Sequence, residues 1–268
     1  TTPYPSACSG LTHACGHDVQ TTIVLGVAEM LSTLTKRLPD SEVPSARLRF
    51  IFQAAEETAE GAAWMVEDGA LKDVAAILGL HVDPTIPVGK VGIRYGVLTA
   101  QVDEVEISVR GKGGHAARPQ HTTDPLAAAA ALVTTLYQTV PRRADALYPT
   151  VFTIGTIHGG SASNVIPDVV ELMGTLRSTD RVNRQAVMDA IQRTCDGLAA
   201  ATGNTIEVRF LCPLGSVVND VTVTSAYEAS AIQVLGGQNL TIIDKPSMGG
   251  EDFAVYLDHV RGSQFRLG

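Results

Sequence analysis

Apolar residues recur at helical spacing early in the chain: Ile23, Val24, Val27, Met30, Leu31 and Leu34 predict an amphipathic helix over residues 18–35, with Asp18 as its N-cap. Residues 36–46 hold two prolines and several charges and read as a loop. Residues 47–52, Arg-Leu-Arg-Phe-Ile-Phe, are apolar and β-prone, and this expected strand runs into Gln53-Ala54-Ala55-Glu56-Glu57. A second helix is expected over residues 60–71. Residues 74–80 are almost uniformly apolar, as in a buried parallel strand, and end on His81. Strand, helix and strand in this order predict a right-handed parallel βαβ unit. Glu56-Glu57 and His81 then close neighbouring strands at the edge where open α/β sheets take ligands.

From about Tyr95 the pattern changes to strict alternation. A strand over residues 102–109 leads into Gly111-Lys112-Gly113-Gly114-His115-Ala116-Ala117-Arg118-Pro119. A helix over residues 124–140 has Asp124 as cap and Pro125 at its first position. Strands follow at 150–158 and 169–177, then a helix over 181–201 and a strand over 205–211. The order β-α-β-β-α-β is the ferredoxin-like split motif, expected as a compact domain inserted into the first. After Pro213 an α/β pattern returns, with a helix at 223–235, a strand at 240–244 and a helix starting at Gly250-Glu251-Asp252, whose acidic pair suits a helix N-terminus. The expected fold class is therefore α/β, divided as residues 1–97, 98–212 and 213–268. No internal repeat or low-complexity tract interrupts it.

Composition narrows the function. The 268 residues are enough for one large or two modest domains, and the formal net charge of −8 comes with no basic cluster. Nucleic acid and anionic membranes are therefore not expected as partners. No apolar run approaches a bilayer span, and the start does not read as a signal peptide. Four irregularly spaced cysteines (Cys8, Cys15, Cys195, Cys212) fit reduced thiols in a cytoplasmic enzyme better than a disulfide framework. The chain opens on Thr1-Thr2-Pro3 without Met and stops at Phe265-Arg266-Leu267-Gly268, so a fragment is expected.

Candidate chemistry gathers at Thr12-His13-Ala14-Cys15-Gly16-His17-Asp18, where a thiol, two imidazoles and a carboxylate lie close together. Borderline-soft divalent ions such as zinc favour mixed S, N and O donors. Adjacent carboxylates ending a buried strand are costly unless paired or metal-bound, which adds Glu56, Glu57 and His81 to the expected set. His115 sits in a glycine-rich loop, and Asn164 lies within the turn-like stretch His158-Gly159-Gly160-Ser161-Ala162-Ser163-Asn164-Val165-Ile166-Pro167. His13, His121, His259, Cys8, Cys195 and Cys212 show nothing beyond structural roles. The glycines at 111, 113, 114 and 159 make no dinucleotide fingerprint, because no strand–GxGxxG–helix order surrounds them.

These stretches, with Gly79-Leu80-His81, Ser163-Asn164-Val165-Ile166-Pro167 and Met248-Gly249-Gly250-Glu251-Asp252-Phe253, resemble one family over essentially the whole chain. It is the metal-dependent amidohydrolases that include hippurate hydrolases, N-acyl-amino-acid deacylases and auxin-conjugate hydrolases, related to aminoacylase and co-catalytic zinc carboxypeptidases. The resemblance implies a zinc-exopeptidase-like catalytic domain with a mixed sheet, interrupted by a satellite domain that makes a homodimer. It implies two divalent metal ions per subunit (Zn, Mn, Co or Ni), with Cys15, His17, Glu57 and His81 as ligands and Glu56 as general base. By the same likeness His115 reaches the partner subunit's site, and Asn164 and Arg118 meet the substrate. The implied reaction is hydrolysis of the amide bond of an N-acyl amino acid or similar small conjugate. A dipeptidase or carboxypeptidase of the same architecture, or an inactive metal-binding dimerisation protein, are the alternatives. Two departures stand out: Gln20 replaces a histidine common in the subgroup, and a further histidine ligand expected beyond the Gly-Glu-Asp-Phe helix is not within the chain.

Overall fold

A computed structural model describes residues 6–11, 14–39, 41–42 and 46–268, with the backbone alone for residues 212 and 213. His13 of the opening motif and the Cys212 side chain therefore lie outside the described residues. In chain order the first elements are α1 (His17–Arg37), α2 (Gly61–Glu67), β1 (Ile77–Val82), β2 (Val91–Ile93), β3 (Gly96–Val97), β4 (Gln101–Arg110) and β5 (Gly114–His115). Next come α3 (Pro125–Arg143), β6 (Thr150–Gly159), β7 (Val165–Ile166), β8 (Val169–Ser178), α4 (Arg181–Thr202) and β9 (Thr205–Leu214). β10 (Val218–Asn219), α5 (Val221–Leu235), β11 (Leu240–Ile242), α6 (Phe253–Leu257) and β12 (Gly262–Leu267) complete the set.

The chain divides into two compact units. The first comprises Thr1–Gly96, Asn219–Asp244 and Tyr256–Gly268. Its sheet runs in the order β1-β12-β2-β11 and is mixed: β1 pairs parallel with β12, β12 antiparallel with β2, and β2 parallel with β11. Gly262 allows the close pairing at the start of β12, because a Cβ there would lie 2.5 Å from Ile77 Cγ2. Asn219, nearly fully buried, ties this sheet internally by donating to the Arg94 and Gln264 carbonyls and accepting from the Gln264 amide.

Three expectations are corrected in this unit. Residues 46–55 form no ladder and are not assigned as a strand, so the expected pairing of 47–52 with 74–80 is absent and the parallel partner of β1 is β12. β-propensity measures how well side chains suit a pleated surface, and it does not supply a pairing partner. The cap of α1 is Gly16 in the left-handed region, with Asp18 in the first turn instead of at the cap. The apolar stripe of α1 leaves no residue buried, with Leu25 58% and Met30 64% exposed, because periodicity names the face a helix can bury and not what covers it.

The second unit comprises Val97–Val218 and Lys245–Val255. Its antiparallel sheet has the order β6-β8-β4-β9, and the chain runs β4-α3-β6-β8-α4-β9. In β4, Val105, Ile107 and Val109 are fully buried while Glu104, Glu106 and Ser108 alternate on the other face. Leu132 and Leu136 of α3 and Val187, Ile191 and Cys195 of α4 join those valines and isoleucine in one core cluster. The Asp124 carboxylate accepts from the Leu126 and Ala127 amides and Pro125 opens the helix, so the start of α3 follows directly from its sequence.

Candidate metal centre

Five of the singled-out residues converge within the first unit. Cys15 precedes Gly16, whose φ of 81° is a left-handed conformation that glycine adopts without a Cβ penalty. A Cβ at Gly16 would also lie 2.5 Å from Val82 Cγ2, so the Cys15-Gly16-His17 turn can press on the end of β1 only through glycine. His17 opens α1. On β1, His81 Nδ1 lies 2.7 Å from the Val82 carbonyl oxygen, which can only accept, so Nδ1 carries the proton. Its Nε2 is left as a lone-pair donor facing Cys15 Sγ at 3.5 Å. The carbonyl contact thereby selects the tautomer able to bind a metal, as second-sphere partners of ligating histidines do.

The carboxylates arrive from the turn before α2. Glu56 Oε2 lies 3.5 Å and Glu57 Oε1 3.9 Å from His17 Nε2, and the His17 and His81 rings meet edge to face at 6.0 Å. Within the first unit two donor groups result. In Cys15, His17 and His81, and again in His17, Glu56 and Glu57, the ligand atoms all lie within 4.8 Å of one another. The first offers S/N/N and the second N/O/O, donor chemistry that suits borderline divalent ions. The residues present therefore fit metal binding. Nearby, Thr85 donates from its amide and hydroxyl to Asp83 Oδ1. Burial raises the Asp83 pKa, but those bonds and the charges of Arg266 and His81 outweigh it and leave the carboxyl below its ordinary value.

His115, Arg118 and Asn164 belong to the second unit and gather there. His115 pairs with Val165 between β5 and β7, the Ala116 amide donates to the Asn164 carbonyl, and the Arg118 amide donates to the His115 carbonyl. The Ala117 amide donates to His115 Nδ1 at 3.1 Å, so the neutral ring carries its proton on Nε2. A cleft of about 450 Å³ beside them is lined by Ala116, Gly160, Ser161, Ser163 and Ile166 among others. Glu251 and Asp252 directly precede α6, at the helix N-terminus expected for them, and both are buried.

Sequence reasoning passed over Gly16, the Val82 carbonyl and the left-handed residues Ala55 and Ala59. The glycine between Cys15 and His17 was the one visible signal. Backbone conformation at an alanine leaves no mark in the sequence.

The family model for peptidase family M20/M25/M40 matches residues 1–268. The chain belongs to this family. As an M20 chain it is 40% identical over 97% of its length to the N-acetylcysteine deacetylase of Bacillus subtilis, spanning 66% of that protein. It is 37% identical over 99% of its length to IAA-amino acid hydrolase ILR1-like 2 of Arabidopsis thaliana, spanning 59% of that protein. The chain thus spans less than two thirds of the length of these curated relatives. A solved dinuclear metal-binding M20 peptidase of B. subtilis superposes on the whole chain and 67% of its own, with a TM-score of 0.81 and 35% identity. The fold class expected from sequence, mixed α/β of the zinc-exopeptidase type, holds for this M20 chain. None of the helices among the described residues is long and apolar enough to cross a membrane.

Proposed function

We propose that this M20 chain carries the catalytic centre of a metal-dependent amidohydrolase that cleaves the amide bond of N-acyl amino acids or similar small conjugates. The carrying observation is the pair of donor groups meeting at His17. The names of the B. subtilis deacetylase and the Arabidopsis hydrolase support the substrate class. In this reading Cys15, His17, Glu57 and His81 hold two divalent cations (Zn, Mn, Co or Ni). Cations held there supply Lewis acidity, acidifying water and polarising the scissile carbonyl.

The chain's own residues do the rest. Glu56, half-buried beside His17, takes the proton of the attacking water and returns it to the leaving nitrogen. His115, with its proton on Nε2, donates to the oxyanion that develops on the carbonyl. Asn164 and Arg118 meet the substrate carboxylate, the charge-assisted contact that orients an acyl amino acid. Residues 98–212 act as a satellite domain that pairs two copies, bringing His115 to the partner subunit's site, and the protein works in the cytoplasm. The division at 97/98 and 212/213 belongs to the same proposal.

The test is Glu56→Gln, assayed on hippurate, N-acetyl amino acids and dipeptides, with metal content measured in parallel. Turnover should fall at least ~100-fold with metal binding retained, the lower end for loss of general-base catalysis. Near-normal turnover sinks the assignment of Glu56. Dipeptides cleaved in place of acyl amino acids would move the reading to a peptidase.

A further inference from the structure

The Glu56–Glu57 pair hangs from a turn that begins and ends in a strained conformation. Ala55 has φ 57° and Ala59 φ 60°, the left-handed region that residues with a Cβ avoid. Such states persist only where the surroundings over-determine them. Here the Ala55 carbonyl accepts from three donors: Thr58 Oγ1 at 3.2 Å, the Glu60 amide at 3.4 Å and the Gly61 amide at 3.2 Å. The Ala59 amide closes the turn on the Glu56 carbonyl at 2.8 Å. Ahead of it, Gln53 Oε1 accepts from the Tyr256 hydroxyl at 2.8 Å.

Gly61 makes this clamp possible. A Cβ at Gly61 would lie 1.7 Å from the Ala54 carbonyl oxygen and 2.9 Å from both the Ala54 carbonyl carbon and Gln53 Nε2. The first turn of α2 therefore rests on the backbone immediately before the carboxylates. Any side chain at position 61 must push the Ala54–Ala55 peptide away, and Glu56 and Glu57 move with it. Backbone has no soft rotamer with which to yield.

We propose that Gly61 is a positioning residue: by lacking a side chain it lets α2 lock the Ala55–Ala59 turn that aims Glu56 and Glu57 at the metal centre. This rests on the reading of those carboxylates given above, and it adds a residue that touches neither metal nor substrate. Supporting groups of this kind change metal affinity by roughly 10–100-fold when altered.

The test is Zn²⁺ affinity, measured by competition with a chromophoric chelator and normalised to the folded fraction from circular dichroism. Gly61→Ala should weaken Zn²⁺ binding by at least roughly ten-fold per folded molecule. The control Gly26→Ala, where a Cβ meets nothing within 4 Å, should not change it. Should Gly61→Ala fail to fold, Ala55 decides. Ala55→Gly adopts the left-handed conformation freely and should keep the affinity, whereas branched Ala55→Val should lose it. Wild-type affinity in folded Gly61→Ala, or equal affinity in the two Ala55 variants, overturns the positioning role while leaving the metal reading intact. A wild type that binds no Zn²⁺ overturns that reading and the positioning role with it.

Discussion

Arg184→Met removes the guanidinium that holds a buried carboxylate in the second unit. Asp103 lies in β4 opposite Leu176 and is only 1% exposed, at the point where the β4–β9 register shifts between Val102 and Glu104. Arg184, in the first turn of α4, donates from Nε to Asp103 Oδ2 at 2.6 Å and from Nη2 to Asp103 Oδ1. This is the bidentate geometry in which arginine binds carboxylates most strongly. The same bonds raise the guanidinium pKa above its ordinary value, against the effect of burial. Methionine keeps most of the stem packing and deletes the charge, so the cost is that of an orphaned buried carboxylate, about 3–5 kcal/mol. The Arg184 side chain is 20% exposed, so water can reach one side of the gap and the lower end, about 3 kcal/mol, is expected.

Urea denaturation followed by far-UV circular dichroism measures that loss. Trp64, the sole tryptophan of the sequence, lies in the first unit, so its fluorescence reports on that unit separately. The double variant Asp103→Leu, Arg184→Met removes both charges together and should recover most of the stability, because replacing a whole buried pair by apolar side chains is often neutral or better. Less than about 1 kcal/mol lost by Arg184→Met, or a double variant as unstable as the single, would refute the reasoning, since both outcomes mean that the pair was never desolvated.

Further outcomes follow from two other positions. Gly16→Ala forces a Cβ into the left-handed region and to 2.5 Å from Val82, so it should cost at least about 1–2 kcal/mol in thermal unfolding; an unchanged Tm would mean that the turn is not pinned on β1. Burial, aided by the charge of Asp196, pushes the Cys195 thiol up from 9.0 to about 12. It should therefore resist alkylation at pH 8 in the native state while exposed Cys8 reacts. The same shift has a stability consequence. The unfolded thiol ionises above 9.0 while the folded one stays protonated, so the stability it confers is complete below pH 9 and declines as pH rises toward 12, by at most about 1.4 kcal/mol per unit. Cys195→Ala should remove that component of the alkaline slope, and identical slopes in the two proteins would contradict it.

Legibility of the sequence depended on whether a structural choice is local. The start of α3 was readable because Asp124 and Pro125 satisfy it within three residues. The sheet of the second unit was readable because Val105, Ile107 and Val109 alternate with polar neighbours on a half-covered sheet. The first unit yielded less. Whether residues 47–52 join a ladder depends on a partner elsewhere in the chain, and β1 takes its parallel neighbour from β12, some 180 residues away in register Ile77↔Gly262. In the candidate site the donor types were visible, since a thiol, imidazoles and paired carboxylates are rare together. The devices that aim them were not. The tautomer of His81 depends on one carbonyl, and the direction of Glu56 on φ at an alanine.

The two donor groups also constrain one another. They share His17, and its Nε2, the atom near both carboxylates, offers one lone pair and so serves one cation. The N/O/O and S/N/N groups are therefore not two complete, independent cages. If His17 turned to the Cys15–His81 side, a cation held by Glu57 would lack its nitrogen, and if it turned to the glutamates, the thiol side would lose one. Structural zinc sites are closed by four protein ligands, whereas catalytic ones keep a position open for water or substrate. A shared His17 with a second carboxylate, Glu56, held beside it at 3.5 Å fits the proposed hydrolytic reading, with Glu56 as base and not as ligand, better than a purely structural metal site.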